Sequence, residues 1–168
     1  GMPLKFLGKA QKRPLELLKY LVAVRAPVPF EVAADALWPD SDGDLAYGAL
    51  EATLRRLRML LHHPEAISRA GAKIALNPSL CWIDAWAFED EAARIGTHAS
   101  REPEPSIDQS TRILWSAYRG HFLENENHQT WLISARQRLR KMFTHITLMI
   151  GNEDERLGKW EAAATTYA

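Results

Sequence analysis

Cysteine is nearly missing from this sequence. Cys81 is the single one in 168 residues, so no internal disulfide can form and a reducing cytoplasm suits the chain. Long apolar runs are missing too. None approaches the ~18 residues that a spanning helix needs, and no apolar segment near the N-terminus reads as a secretory leader. No membrane partner is expected. Nor is there an excess of either charge. The 21 Lys and Arg balance 21 Asp and Glu, which excludes a protein that coats nucleic acid indiscriminately. Metal-ligand spacing is absent as well. His62 and His63 are adjacent and face different sides of any helix, while His98, His121, His128 and His145 are scattered. With no HxxxH and no cysteine pair, no metal site is expected. Gly8-Lys9 lacks the upstream glycine and the following Ser or Thr of a phosphate-binding loop. Asp108, Ser110 and His121 have no spacing that would assemble a nucleophile. No catalytic residue, no cofactor and no enzymatic activity is expected.

What is present is an uneven distribution of charge. Before residue 30, Lys5, Lys9, Lys12, Arg13, Lys19 and Arg25 are opposed only by Glu16. Glu31, Asp35, Asp40, Asp42 and Asp44 follow as an acidic cluster, and from Asp84 to Glu126 acids outnumber bases. Such a division suggests two modules with different partners.

The stretch from Leu45 to His63 organises the first of them. Leu50, Leu54, Leu57 and Leu61 recur at one face of a 3.6-residue helix. Arg55 lies most directly outward, with Arg56 and Arg58 on opposite sides of it, and Gly48, Ala52 and Met59 share its face. Upstream, a helix is predicted over about Gln11–Val24 with Leu15, Leu18, Leu21 and Val22 inward. A second is predicted over Phe30–Trp38 with Val32, Ala33, Ala36 and Leu37 inward. Pro3–Leu7 reads as a short strand. The acids of 41–44 are placed to cap the central helix, and His63-Pro64 closes it. Residues 66–69 and 73–76 read as strands of a hairpin turning through Ala70-Gly71-Ala72. Three helices and then a hairpin is the order of a winged helix-turn-helix, whose third helix enters the major groove.

RPLELLKYLVA, EVAADALWPD, GALEATLRRLRMLL and ISRAGAKIAL, in this order and spacing, resemble the OmpR/PhoB-type winged-helix effector domain. The likeness is strongest to its version in SARP-type and MalT-like bacterial regulators. In that family a small sheet precedes the first helix, and only its last strand has a counterpart here. After residue 80 the pattern changes to long helices. One opens near Trp82 with Asp84 as its N-cap and Trp86, Phe88 and Ala92 inward. A polar loop spans 98–105. A helix from Ser106 places Ile113, Leu114 and Tyr118 inward, and a long helix runs from Gln129 to about Arg156. Trp82, Trp86, Trp115, Trp131 and Trp160 are expected in the core. WIDAWAFE, LWSAYRGHFL, WLISARQRLRKMF and LGKWEAAATTY resemble the start of the bacterial transcriptional activator domain, a stack of tetratricopeptide-type hairpins. Gly158 fits its tight corner, Trp160 its aromatic position and Ala163 its small one, while His121 stands where the family usually has proline. Because stacked repeats need neighbours, the front portion of a longer regulator is expected.

The expected fold class is therefore mainly α with a small β-hairpin. A winged-helix DNA-binding domain is expected over 2–80 and a TPR-like bacterial transcriptional activator domain over 82–168. The resemblance implies a cytoplasmic, sequence-specific transcriptional regulator, an activator, that binds double-stranded DNA. Further partners implied are RNA polymerase, a second copy of the chain, or other domains of a longer regulator. The residues expected at DNA are Tyr47, Glu51, Thr53, Arg55, Arg56, Arg58, Arg69 and Lys73. Arg matches phosphate oxygens and the guanine edge. Glu51 and Thr53 suit base selection, though Glu51 also suits orienting an arginine. Arg69 and Lys73 fit a backbone clamp or strand-edge charges that discourage aggregation. The alternative is a winged-helix protein-interaction module without DNA binding, in which Ala52 and Met59 meet a partner.

Overall fold

The computed structural model describes residues 12–98, 115, 118, 120–126 and 129–167. The strand expected at Pro3–Leu7, the helix start at Ser106, and the loop over 99–105 lie outside them. The chain divides into two compact units between Trp82 and Ile83. The described residues are mainly helical with one small three-stranded antiparallel sheet.

The first unit begins with α1 (Lys12–Val24), followed by β1 (Val28–Pro29) and α2 (Phe30–Leu37). Next come α3 (Gly43–Leu61), a 3-10 turn (Pro64–Ala66), β2 (Ile67–Ala70) and β3 (Lys73–Leu76). The sheet runs in the order β1-β3-β2, with Val28 opposite Ile74, and Ile67 opposite Leu76. Strand β1 lies between the first two helices, where the sequence predicts no strand. Pro29 has no N–H to give, but β1 is an edge strand, where proline is tolerated. The Phe30 N–H then donates to the Ala72 carbonyl at 2.7 Å, which ties the start of α2 to the hairpin turn. That turn is tight because Gly71 adopts a positive φ of 60°.

Helix α3 has defined ends. Asp42 Oδ1 accepts from the Gly43 N–H at 2.8 Å, and Asp44 complements the positive end. His62 takes the left-handed conformation at φ 54° and its N–H donates to the Met59 carbonyl, which ends α3 before Pro64 opens the 3-10 turn. Leu50, Leu54 and Leu57 are buried, and α3 packs on both α1 and α2. Each such leucine contributes roughly 1.5–3 kcal/mol.

Two inward faces differ from expectation. In α1 the buried residues include Leu17, Tyr20 and Leu21, whereas Leu15, Leu18 and Val22 are half-buried. The segment LELLKYLV offers two overlapping apolar phases, and packing chose the one carrying Tyr20. In α2, Phe30, Ala33, Ala34 and Leu37 face inward; Val32 is exposed and Ala36 half-buried.

The second unit contains α4 (Asp84–His98), α5 (Thr130–Arg156) and α6 (Trp160–Tyr167). Asp84 Oδ1 accepts from the Ala85 N–H at 2.7 Å. Phe88, Ala92 and Ile95 of α4 meet Leu139, Ile146 and Ile150 of α5, with Trp115, Tyr118 and Phe143 against them. The Tyr118 and Phe143 rings stack at 4.2 Å. Glu89, buried in α4, receives Arg138 Nε of α5 at 2.8 Å. Arg136 donates to the carbonyls of Phe122 and Leu123, which fastens the 120–126 segment to α5.

The turn between α5 and α6 closes on Gly158, at φ 72°, with Lys159 N–H on the Asp154 carbonyl. Ala163 and Thr166 are the buried residues of α6. Trp160 is 67% exposed and Trp82 is 82% exposed, against their expected place in the core. Trp160 is the first residue of α6, directly after the turn, and Trp82 lies in the linker before α4. Trp86 is buried, and Trp115 and Trp131 are half-buried.

At the far end of this hairpin the Tyr167 ring lies directly over Gly151, where a Cβ would collide with it. The Tyr167 hydroxyl donates to Asn152 Oδ1 at 3.3 Å. Gly151→Ala is expected to push the exposed tip of the Tyr167 ring aside, at a net cost of about 1 kcal/mol or less, because alanine itself favours the helix. Thermal denaturation checks this, and the cost should largely vanish when measured in a Tyr167→Ala background.

Candidate nucleic-acid interface

Helix α3 owes its outward face to the leucine ridge behind it. With Leu50, Leu54 and Leu57 fixed inward, the 3.6-residue period turns Gly48 and Arg55 directly out. Tyr47, Glu51 and Arg58 fall on the side toward the hairpin. Ala52 and Met59 share the outward face with Gly48 and Arg55, and Leu45 and Arg56 fall on the other side. Arg55 and Arg56 are exposed, and neither has an ion pair among the described residues. Lys73, at the head of β3, is exposed as well.

The remaining expected residues are placed differently. Thr53 is 4% exposed, which removes it from the expected DNA-facing set. It sits two residues from Glu51 and Arg55, hence about 200° around the helix, among the leucines. Arg58 is half-buried and its Nη2 donates to the Ile67 carbonyl at 2.9 Å. It braces the base of β2 against α3 instead of projecting outward. Its Nε is buried without a hydrogen-bond partner.

Arg69 of β2 folds back over α3. Its Nη1 meets Glu51 Oε1 at 3.2 Å and its Nη2 donates to the Tyr47 hydroxyl at 3.2 Å. The guanidinium lies 4.8 Å from the centre of the Phe30 ring. Phe30 in turn packs on Tyr47, with centroids 4.6 Å apart and planes tilted by 52°. The bond to Glu51, aided by that to Tyr47, raises the Arg69 pKa above its already high value, so the side chain stays cationic. Four residues from α2, α3 and β2 thus form one cluster. Sequence reasoning placed Tyr47, Glu51 and Arg69 at the site individually but missed Phe30 and the cluster itself. Positions 30, 47, 51 and 69 share no local period; only the tertiary fold joins them.

Between α3 and β2 runs an open groove of about 330 Å³, lined by Gly48, Glu51, Ala52, Leu54, Arg55, Arg58 and Arg69. Three guanidinium groups and one carboxylate border it, an excess of positive charge suited to an anionic surface. Gly48 and Ala52 keep the helix slim there, which permits close approach by a partner's backbone.

Among the described residues no group of three or more His, Cys, Asp or Glu side chains is placed to hold a metal ion. No described helix is long and apolar enough to cross a membrane. No protein-family model matches the chain, and no curated protein or solved structure matches it either.

Proposed function

We propose that the chain is a sequence-specific DNA-binding transcriptional regulator, acting as an activator in the cytoplasm. The first unit is a winged helix-turn-helix: α3 enters the major groove and the β2–β3 hairpin approaches the neighbouring backbone. The second unit is a TPR-like module for self-association, or for contact with RNA polymerase or other domains of a longer regulator. The order helix, strand, helix, helix, hairpin and the strand order β1-β3-β2 support the winged-helix reading. The antiparallel α5–α6 hairpin, closed at Gly158 and packed through Gly151, supports the repeat reading.

One observation carries the DNA reading. Arg55 and Arg56 are exposed on a helix whose opposite side is locked into a core. Their guanidinium groups are held out without a competing carboxylate among the described residues. Phosphate contacts give affinity and register, and side chains in the groove give sequence preference.

A second reading, docking to a protein partner, has its own support: Leu45 is 71% exposed and Met59 62% exposed on the same helix. Titrating the protein into labelled duplex fragments, followed by fluorescence anisotropy, separates the two. The DNA reading predicts saturable binding that weakens steeply as salt is raised from about 50 to 200 mM. Absence of binding at the lower salt would leave the docking reading in its place.

A further inference from the structure

The Glu51–Arg69 pair sits where a DNA-facing helix would least tolerate a carboxylate. A bare Glu51, half-exposed on the hairpin side of α3, would meet a nearby phosphate with like charge. The hairpin supplies Arg69 to that carboxylate, at 3.2 Å, and thereby cancels its charge locally. Arg69 is itself held on two further sides, by the Tyr47 hydroxyl at 3.2 Å and the Phe30 ring at 4.8 Å. Glu51 is half-exposed, and the bond from Arg69 engages its Oε1. The carboxylate is therefore steered from behind while its outer edge remains accessible in the groove beside Gly48 and Ala52.

A steered, charge-compensated carboxylate is an acceptor for an amino group. In the major groove the cytosine N4 amino group is the donor that a glutamate takes, whereas a glutamine in its place pairs with adenine N6 and N7. We infer that Glu51 is a specificity-determining residue that selects cytosine at one base pair, and that Arg69 is its positioning residue. The inference rests on the DNA-binding reading and adds which side chain reads sequence, which base it reads, and why the hairpin matters to that choice. Arg55 and Arg56 then serve chiefly affinity. The backbone clamp considered for Arg69 from the sequence gives way to a role in orienting a side chain of the recognition helix.

The test is selection from a random duplex pool, performed with the full chain and with Glu51→Gln, Arg69→Gln and Arg69→Lys, followed by titration of the selected sequences. Glu51 and Arg69 are exposed, and circular dichroism melts verify that each variant folds. The wild-type chain should require cytosine at one position, with about tenfold or greater discrimination. Glu51→Gln should lose that requirement and favour adenine at the same position. Arg69→Gln should flatten preference at that position alone, and Arg69→Lys should restore part of it. If the wild-type chain selects a sequence and Glu51→Gln selects the same one, the inference is wrong while the DNA reading stands. Uniform loss of affinity in the variants, without redistribution at one position, equally overturns it. A wild-type chain that binds no duplex removes the DNA reading and this inference together.

Discussion

Replacing Arg55 and Arg56 together by alanine lowers affinity for a preferred duplex by about 100-fold and leaves the fold intact. Each arginine contact with phosphate or a base edge contributes roughly 1–3 kcal/mol, and the lower half of that range, taken twice, reaches two decades. The two side chains leave α3 about 100° apart, so they meet different groups on the duplex and their effects should nearly add. Stability should hardly change. Both positions are exposed, and alanine favours the helix. Anisotropy titrations with the selected duplex read the affinity, and circular dichroism reads the fold. Unchanged affinity in the folded double variant would take α3 out of the interface.

Phe30→Ala is expected to have the largest effect on stability. Phe30 is 1% exposed at the start of α2, packed on Tyr47 and covered by the Arg69 guanidinium. Truncating such a ring costs about 3–5 kcal/mol, because the vacated space is only partly refilled. The loss also removes the surface on which Arg69 rests, a contact that adds about 0.5–1 kcal/mol. Hydrogen exchange is the suitable measurement, since it reports α2 and α3 separately from the second unit. Amide protection in α2 and α3 should fall by roughly 100-fold or more. Phe30→Leu, which keeps most of the volume, should lose much less. Unaltered protection in Phe30→Ala would mean that Phe30 does not hold α2 and α3 together.

Local pattern made some of this molecule readable and left other parts hidden. Helix α3 could be read because its leucines repeat at 4, 3 and 4, an acid precedes it, and His63-Pro64 follows it. The hairpin could be read because Gly71 separates two short apolar runs. Strand β1 could not. Two residues ending in proline carry no strand pattern, and they are extended because Ile74 and Lys73 of β3 are there to pair with. Arg58 and Thr53 mark the limit of a helical wheel. The wheel places Arg58 near the outward face, but the hairpin carbonyl of Ile67 takes its guanidinium. Thr53 looks polar enough for a surface, yet its angle puts it among leucines. Trp82 and Trp160 show the converse, since large apolar side chains were expected inside and stand largely exposed. Hydrophobicity raises the gain from burial but does not supply a neighbour. The Phe30–Tyr47–Glu51–Arg69 cluster is the clearest case. Each member is ordinary in sequence, and their joint chemistry exists only after α2, α3 and β2 have packed.

The central claim is that α3 meets DNA through Arg55 and Arg56. It is tested most directly by measuring the salt dependence of duplex binding for the wild-type chain and for the Arg55→Ala, Arg56→Ala double variant side by side. If both guanidinium groups neutralise phosphates, the log–log slope of the wild-type chain should be steeper by about 1.8, at ~0.9 per contact. Equal slopes for the two proteins would contradict it.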